Sequence, residues 1–312
     1  MLVSAKQLFE GCYGEFAIGA INVWSMEQIH ALFRAGERVS SPFIVQMTPV
    51  ARNYADSLML IEMIKAAAKI YPKAIYATHL DHGNEEHVRD AITSGDYTSV
   101  MIDASHDTFL QNIARTSNVV KLAHSKGITV EAELGVLSGV EDDLTVDEKK
   151  ARYTQPEEVE EFVSQTGCDS LAIAVGTSHG AYKFSGGQGL QFDILEDIQR
   201  KAPGFPLVLH GGSEVNFEEI ERINSAAGKI GISAKGVSAE DIQKSIQYGI
   251  CKVNIATDAR IIWTRVHREF FSESPELFDP IIPGKTYMEE LEKFNIEKFE
   301  LLGSTGKSNL FK

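Results

Sequence analysis

The sequence predicts an α/β fold of the TIM type, a (β/α)8 barrel in which eight parallel strands alternate with helices and close into a cylinder. Eight short apolar runs rich in β-branched residues recur along the 312 residues, and segments with helical periodicity separate them. Near-continuous apolar runs are typical of parallel strands buried on both faces. A doubly wound open sheet is the structural alternative, but the alternation reaches eight strands without a domain break. We therefore expect one barrel domain over residues 1–312.

Each predicted strand is a short run next to a helical segment. In chain order the strands are AIGAINV (17–23), FIVQMT (43–48), AIYATHL (74–80), SVMIDAS (99–105), TVEAELG (129–135), SLAIAVG (170–176), LVLHGG (207–212) and CKVNIAT (251–257). Helical segments such as PEEVEEFVSQTG carry apolar residues at helical spacing and end in a capping glycine. Two connections are longer. We expect residues 136–155 to form a mobile loop over the fifth strand, and residues 213–241 to contain a short extra helix before the C-terminal helices.

Composition and charge restrict the class of protein. A formal net charge of −14 argues against nucleic acid or an anionic membrane surface as the main partner. No apolar stretch reaches the roughly 20 residues that a membrane span needs, and the first residues lack the pattern of a signal peptide. The three cysteines are far apart and no CxxC pair occurs, which indicates reduced thiols. We therefore expect a soluble, cytoplasmic protein.

Polar residues gather at the carboxyl ends of the predicted strands, where barrel enzymes place their active sites. Three of them, His82, His179 and His210, follow three different strands. A lone histidine at a strand end is more often a structural hydrogen-bonding residue. Three imidazoles that converge with an open fourth position are, however, a frequent zinc site in enzymes. The sequence therefore predicts a metal centre at this mouth of the barrel.

Carboxylates accompany these histidines. Asp81 precedes His82, so it either transfers protons beside the metal or orients a metal-ligating histidine. Glu131 and Glu133 lie two residues apart and share one face of the fifth strand, and Asp103 ends the strand before it. Two roles remain open for these three groups: they either form a second cation site or hydrogen-bond to the metal ligands.

Glycines and hydroxyl side chains end the last three predicted strands, in GTSHGAYK (176–183), HGGS (210–213) and NIAT (254–257). Barrels frequently bind phosphate in the loops after the seventh and eighth strands, through backbone amides that glycine leaves accessible. This cluster beside two candidate metal ligands therefore predicts a phosphate-binding pocket.

The motifs HLDHG, SVMIDAS, VEAELG, GTSHGAYK, LVLHGGS and KVNIAT resemble those of the class II, zinc-dependent fructose-bisphosphate and ketose-bisphosphate aldolases, in family order over nearly the whole chain. The resemblance implies a lyase of glycolysis that uses Zn²⁺ and has room for a second, monovalent or divalent cation. It implies aldol cleavage of a ketose 1,6-bisphosphate, favouring fructose 1,6-bisphosphate, to dihydroxyacetone phosphate and an aldehyde such as glyceraldehyde 3-phosphate. It also implies a homodimer or homotetramer.

Carried over by position, the resemblance implies a role for each residue that matches a family motif. His82, His179 and His210 correspond to the zinc ligands, with Asp103 and Glu133 near a second cation. Asp81 corresponds to the catalytic acid/base, and Glu141 to a glutamate that assists proton transfer. The residues that match the substrate and phosphate pocket are Gly180, Lys183, Gly211, Ser213, Asn254, Thr257 and Arg260, the last at the distal phosphate.

Three departures from the family pattern concern the aldehyde half of the substrate. Glu214 replaces a glycine, and Ala256 stands where many fructose-bisphosphate enzymes have Asp and tagatose-bisphosphate enzymes tend to have a small residue. Ile281 replaces an arginine that in relatives reaches the distal phosphate in a neighbouring subunit. The alternatives are therefore a tagatose-bisphosphate or other ketose-phosphate aldolase and, outside enzymes, a barrel with altered catalysis that binds sugar phosphates.

Overall fold

The computed structural model describes residues 1–141, 144–146, 152–179, 189–231 and 236–312. Its strands are β1 (Ile18–Asn22), β2 (Phe43–Met47), β3 (Tyr76–Gly83), β4 (Ser99–Ile102), β5 (Thr129–Leu134), β6 (Ser138–Glu141), β7 (Leu144–Val146), β8 (Ser170–Ile173), β9 (Ser178–His179), β10 (Leu207–Leu209) and β11 (Ile250–Ile255). Eight of them form a closed parallel barrel in the order β1-β11-β10-β8-β5-β4-β3-β2. Each barrel strand lies on one of the eight predicted runs, which confirms the predicted fold class.

Helices cover the outside of the barrel. They are α1 (Ala5–Cys12), α2 (Met26–Arg38), α3 (Pro49–Ala55), α4 (Ser57–Ile70), α5 (Glu85–Ser94), α6 (Phe109–His124), α7 (Pro156–Thr166), α8 (Phe192–Lys201), α9 (Phe217–Ser225), α10 (Ala239–Ile246), α11 (Thr257–Glu273) and α12 (Ile281–Leu301), followed by a 3₁₀ helix (Lys307–Phe311). Local sequence sets several of their ends. Gly167, for example, ends α7 with a left-handed backbone (φ 68°), as its sequence predicts.

The main apolar core lies between the barrel strands and these helices. Aliphatic and aromatic side chains of the strands, among them Phe43, Val45 and Leu80, pack there against Phe33 of α2 and other helical residues. Because neighbouring residues of a strand point to opposite faces, the alternate residues point into the barrel. The inward residues include a small apolar cluster of Met101, Ala172 and Val208, and a layer of buried polar groups described below.

A small second sheet has two strands, β6 and β7, in the segment for which the sequence predicts a mobile loop, and a third strand, β9, after β8. Among the described residues, β6 pairs antiparallel with β7 and parallel with β9. The β-branched residues Val140, Thr145 and Val146 explain the difference, because such residues favour extended pairing even within a polar segment. Its mobility stays a prediction, and residues 142–143 and 147–151 lie outside the described part of the chain.

The second long connection, residues 213–241, contains the expected extra helix, α9. Asn216 caps it, since its side chain accepts a hydrogen bond from the amide of Glu218. Residues 232–235 of this connection are not among those described.

Helix α1 offers a test of helix capping at a place distant from the polar strand ends. Ser4 and Gln7 form a reciprocal capping box, with Ser4 Oγ accepting from the Gln7 amide and Gln7 Oε1 accepting from the Ser4 amide at 3.2 and 3.0 Å. We expect Ser4→Ala to lower the free energy of unfolding by about 1 kcal/mol. Urea denaturation measures the change. Ser4→Thr keeps the cap and serves as the control, so equal losses in the two variants would contradict this account.

Candidate active site

Asp81 lies at the carboxyl end of β3 with its side chain completely buried. Asn22 Nδ2 donates to its Oδ2 at 2.9 Å, and Gln46 Nε2 donates to the same oxygen at 3.2 Å. Asn254 Nδ2 donates to Oδ1 at 3.3 Å. These amides come from the ends of β1, β2 and β11, which barrel closure brings beside β3. The carboxylate is therefore fixed in place by three amide donors.

A bulge in β3 turns two consecutive side chains toward the same mouth of the barrel. The register with β4 shifts between Leu80 and Gly83, so three steps along β3 match two along β4. Within this bulge His82 has a left-handed backbone, with φ of 47°. Residues with side chains rarely adopt this conformation, and it is concentrated at functional sites. Asp81 and His82 can consequently face the same cavity, although a regular strand would separate them.

The ring of His82 is oriented by Asp103, which follows β4. His82 Nδ1 lies 2.9 Å from Asp103 Oδ2, and Ser105 donates to Oδ1 through its hydroxyl and its amide. Burial raises the pKa of Asp103, but the hydrogen bonds from His82 and Ser105 outweigh burial and hold this pKa well below its usual range. An ionised Asp103 accepts a proton from Nδ1, so a metal ion would bind His82 through Nε2.

Glu131 orients His210 in the same way from the opposite side. His210 Nε2 lies 3.0 Å from Glu131 Oε1, and His210 Nδ1 lies 4.0 Å from Glu133 Oε2. Burial alone raises the pKa of Glu131, but the charge of Lys252 and the bond from His210 hold it well below its usual range. Burial also lowers the pKa of His210, so its ring is neutral and donates from Nε2. The lone pair of His210 therefore lies on Nδ1.

These groups converge closely enough to hold a metal ion. The rings of His82 and His210 meet edge to face with centroids 4.7 Å apart. The ligand atoms of Asp81, His82 and His210 all lie within 4.8 Å of one another, and so do those of His82, Asp103 and Glu133. Imidazole nitrogens with carboxylate oxygens suit Zn²⁺ and similar transition metals. The donor set of the described residues therefore fits the predicted metal.

The third predicted ligand, His179, ends the short strand β9, whose backbone pairs with β6 at Gly139. Its side chain lies outside the described atoms, and so does that of Glu141, the last residue of β6. Gly180 and Lys183 lie outside the described residues altogether.

Two predicted phosphate residues, Ser213 and Thr257, meet where α11 begins. The amides of Ala256 and Thr257 donate to Ser213 Oγ at 3.4 and 3.1 Å. This amino end of a 17-residue helix is a favourable position for an anion. Gly211, two residues before Ser213, has a left-handed backbone (φ 63°), and a Cβ atom there would stand 2.5 Å from the carbonyl oxygen of Ser178. Only glycine fits this contact between β9 and the turn after β10.

The other two predicted pocket residues occupy different places. Asn254 lies against Asp81, as described above, rather than beside Ser213. Arg260, on α11, is half-buried, and its guanidinium carbon lies 5.5 Å from the centre of the Trp24 ring, which follows β1. This stacking holds a cation at the edge of the mouth.

Sequence reasoning missed Gln46 and Lys252. Lys252 Nζ, fully buried, donates to Glu131 Oε2 at 2.8 Å and lies 3.2 Å from His79 Nε2. His79 Nδ1 in turn lies 2.8 Å from Ser99 Oγ. The signal was present in the sequence, because a lysine or a glutamine inside an otherwise apolar strand needs a buried partner.

Comparison with known proteins identifies the family. A profile described as "Fructose-bisphosphate aldolase class-II" matches residues 3–307. The chain belongs to this family. The fructose-bisphosphate aldolase of Thermus caldophilus is 41% identical over 99% of this chain and 100% of its own length. That of Helicobacter pylori is 39% identical over 98% of this chain and 100% of its own length.

Solved structures agree with the family. A putative fructose-1,6-biphosphate aldolase from Coccidioides immitis has a TM-score of 0.81 at 27% identity and covers 98% of both chains. The YdjI aldolase from Escherichia coli K12 has a TM-score of 0.77 at 28% identity, over 99% of this chain and 100% of its own. The resemblance found in the sequence is thereby confirmed. The protein is a class II aldolase, a carbon–carbon lyase of carbohydrate metabolism.

Within the part of the chain that the structure describes, no helix is long and apolar enough to cross a membrane.

The amide cage around Asp81 generates a prediction. Gln46→Leu removes one direct donor and the support that Gln46 Nε2 gives to Asn22 Oδ1 at 2.7 Å. A hydrogen bond to a charged group is worth about 1.5–3 kcal/mol, so we expect kcat to fall roughly 10- to 100-fold with metal content unchanged. Steady-state kinetics with elemental analysis measures both. Asn295→Leu, a similar change at a buried asparagine of α12, should leave kcat unaltered. A folded Gln46→Leu enzyme with normal kcat would show that the cage has no catalytic importance.

Proposed function

We propose that this aldolase reversibly cleaves fructose 1,6-bisphosphate to dihydroxyacetone phosphate and glyceraldehyde 3-phosphate with the help of zinc. The observation that carries the proposal is the convergence of Asp81, His82 and His210, whose ligand atoms lie within 4.8 Å of one another. It occurs at the mouth of a barrel whose family acts on such sugars, and the relatives from Thermus caldophilus and Helicobacter pylori are named fructose-bisphosphate aldolases.

His82 through Nε2, His210 through Nδ1 and the side chain of His179 are the proposed zinc ligands. The orientation of the first two rings by Asp103 and Glu131 supports this assignment. When bound, Zn²⁺ acts as a Lewis acid that polarises the ketone and stabilises negative charge by several kcal/mol. Asp103 and Glu133, which share a second group of close ligand atoms with His82, are the candidates for a second cation.

Asp81 is the proposed general base in the cleavage direction. Its carboxylate removes the proton of the C4 hydroxyl, the C4–O bond becomes a carbonyl, and the C3–C4 bond breaks with its electron pair remaining on C3. The three amides that hold Asp81 keep it aimed at the substrate while it carries this proton. Glu141 is proposed to assist the return of a proton to C3, which completes dihydroxyacetone phosphate.

The phosphate of the dihydroxyacetone half is proposed to bind at the start of α11, on Gly211, Ser213 and Thr257, with Gly180 and Lys183. Backbone amides and the helix terminus favour an anion there. This local donor set compensates for the acidic overall charge of −14, which by itself repels a bisphosphate. Asn254 is proposed to contact the substrate beside Asp81.

Arg260 is proposed to bind the distal phosphate, supported by its stacking on Trp24 at the mouth. Two residues favour the alternative of a tagatose-bisphosphate aldolase: Ala256, the small N-cap residue of α11, and Ile281, an exposed apolar residue at a position that by the family resemblance corresponds to an arginine. We expect kcat/KM to be higher for fructose than for tagatose 1,6-bisphosphate. The opposite order, measured with both sugars on one enzyme preparation, would establish the alternative.

We further propose that residues 1–312 form one catalytic domain, which assembles as a homodimer or homotetramer in the cytoplasm. Large apolar side chains exposed on α11 and around the start of α12 support assembly, among them Trp263, Phe271, Phe278 and Ile281. Exposed apolar patches of this kind mark association surfaces.

Two substitutions separate metal binding from proton transfer. We expect His82→Ala to lose zinc and activity together, because it removes a ligand. Asp81→Ala should retain zinc and reduce kcat by a factor on the order of 10² to 10⁴, as loss of a general base does. Elemental analysis and steady-state kinetics on both variants test this pair. Full activity in a zinc-free preparation would refute zinc catalysis.

Proton exchange separates an enzyme from a barrel that only binds sugar phosphates. The wild-type protein should exchange a C3 proton of dihydroxyacetone phosphate with solvent, because this step needs no aldehyde. Exchange is followed by NMR in deuterium oxide, with metal-depleted protein as the control. Zinc-loaded protein that binds the ligand without exchange would support the binding function instead.

A further inference from the structure

We propose that Lys252 is a positioning residue of the metal site, whose ammonium fixes Glu131 and, through Glu131, the ring of His210. The inference rests on the proposed function, because His210 is a proposed zinc ligand. It adds a fully buried residue that lies on a strand different from those of the ligands.

The geometry places Lys252 inside the barrel. It lies on β11, whereas Glu131 lies on β5, and β10 and β8 separate these strands in the barrel order. A contact of 2.8 Å between their side chains therefore crosses the interior. His79, on β3, is the second partner, with its Nε2 3.2 Å from the ammonium. Lys252, Glu131 and His79 are each at most 1% exposed.

A buried group of Lys252, Glu131 and His79 lowers the stability of the fold, so its presence calls for a function. Removing an ammonium and a carboxylate from water costs several kcal/mol each, and their attraction only partly compensates. Buried ion pairs can often be replaced by apolar residues without loss of stability, and barrel interiors are usually filled with aliphatic side chains. If Lys252 served only to fill the barrel, an aliphatic residue would do so at lower cost.

One ammonium determines the proton positions around it. An ammonium only donates, so His79 Nε2 accepts, and His79 carries its proton on Nδ1, which faces Ser99 Oγ at 2.8 Å. The same ammonium donates to Oε2 of Glu131, which leaves Oε1 for the Nε2 proton of His210 at 3.0 Å. His210 Nδ1 then carries the lone pair and faces the metal site. Fixing the ligand through the group behind it is a general feature of metal sites.

This arrangement predicts whether removing Lys252 strengthens or weakens zinc binding in a variant of Glu131. In Glu131→Gln the ammonium of Lys252 attracts the amide oxygen, so the amide NH₂ faces His210 Nε2. His210 must then accept on Nε2 and carry its proton on Nδ1, the atom proposed to bind zinc. In Lys252→Met/Glu131→Gln the amide is free to turn, and its oxygen again accepts from Nε2. Removing Lys252 should therefore rescue the defect of Glu131→Gln.

The experiment measures the zinc affinity of the metal-depleted protein by competition with a chromophoric chelator. We expect Lys252→Met to weaken zinc binding roughly 10- to 100-fold, the usual effect of losing a partner behind a ligand. Glu131→Gln should bind zinc weakly, and the double variant should bind it at least 10-fold more tightly than Glu131→Gln. Arg265→Met removes another buried cation, which pairs with Glu219, Glu269 and Glu290 outside the barrel. It should destabilise the protein without changing zinc affinity.

A spectroscopic measurement separates positioning from general stability. Long-range ¹H–¹⁵N spectra of histidine-labelled, metal-depleted protein report which ring nitrogen is protonated, with His210→Gln used for assignment. The proton of His210 should lie on Nε2 in the wild type and the double variant, and on Nδ1 in Glu131→Gln. A stability effect alone would not move it.

Two results overturn the inference: a folded Lys252→Met protein with wild-type zinc affinity, or a double variant that binds zinc no better than Glu131→Gln. If Lys252→Met does not fold, the comparison of Glu131→Gln with the double variant still decides. Failure of the proposed function has a different signature, because the wild-type protein itself would then bind no zinc or cleave no bisphosphate.

Discussion

The closure of the barrel by β1 is the constraint on which the other features depend. β1 pairs with β2 on one side and with β11 on the other, so the first and last strands of the chain become neighbours. This pairing places Asn22 and Asn254, which are 232 positions apart in sequence, on the same carboxylate of Asp81. An open sheet with the same strands would keep β1 and β11 apart and leave this buried aspartate without one of its donors. Closure is thus a requirement of the chemistry as well as of the core.

The site consists of two sets of groups. His82 and His210 face each other beside Asp81. Next to them, Asp103 and Glu131 accept the ring protons, and both are held ionised because hydrogen bonds or nearby positive charge outweigh burial. These two carboxylates therefore decide which nitrogen each histidine presents. The rim with Trp24 and Arg260, where we propose that the distal phosphate binds, is a separate region.

Much of this arrangement could be predicted from the sequence, and each missing part has a physical cause. Apolar runs fixed the eight strands, and the polar residues at their ends indicated the mouth, since parallel strands bring these ends to one side. Lys252 was overlooked because its partners, Glu131 and His79, lie on strands distant in the chain. Gln46 was overlooked because its partners, Asn22 and Asp81, lie on two different strands that flank its own. The stagger of the strands decides which inward-facing residues lie at the same height in the barrel. This stagger cannot be read from a single sequence. The β6–β7 pair was overlooked because its few strand-forming residues stand among acidic ones that suggest a loop.

The bulge in β3 makes the number of residues in this segment important, even at positions where the type of residue is not. Over the same distance, β3 uses one more residue than β4 between Leu80 and Gly83, and this extra residue turns Asp81 and His82 to one side. Deleting a single residue here, even one that is chemically replaceable, would restore a regular strand and send one of the two side chains into the helical layer. In the lineage of this protein, insertions and deletions should therefore accumulate in the connections after β5 and β10 while this short segment keeps a constant length.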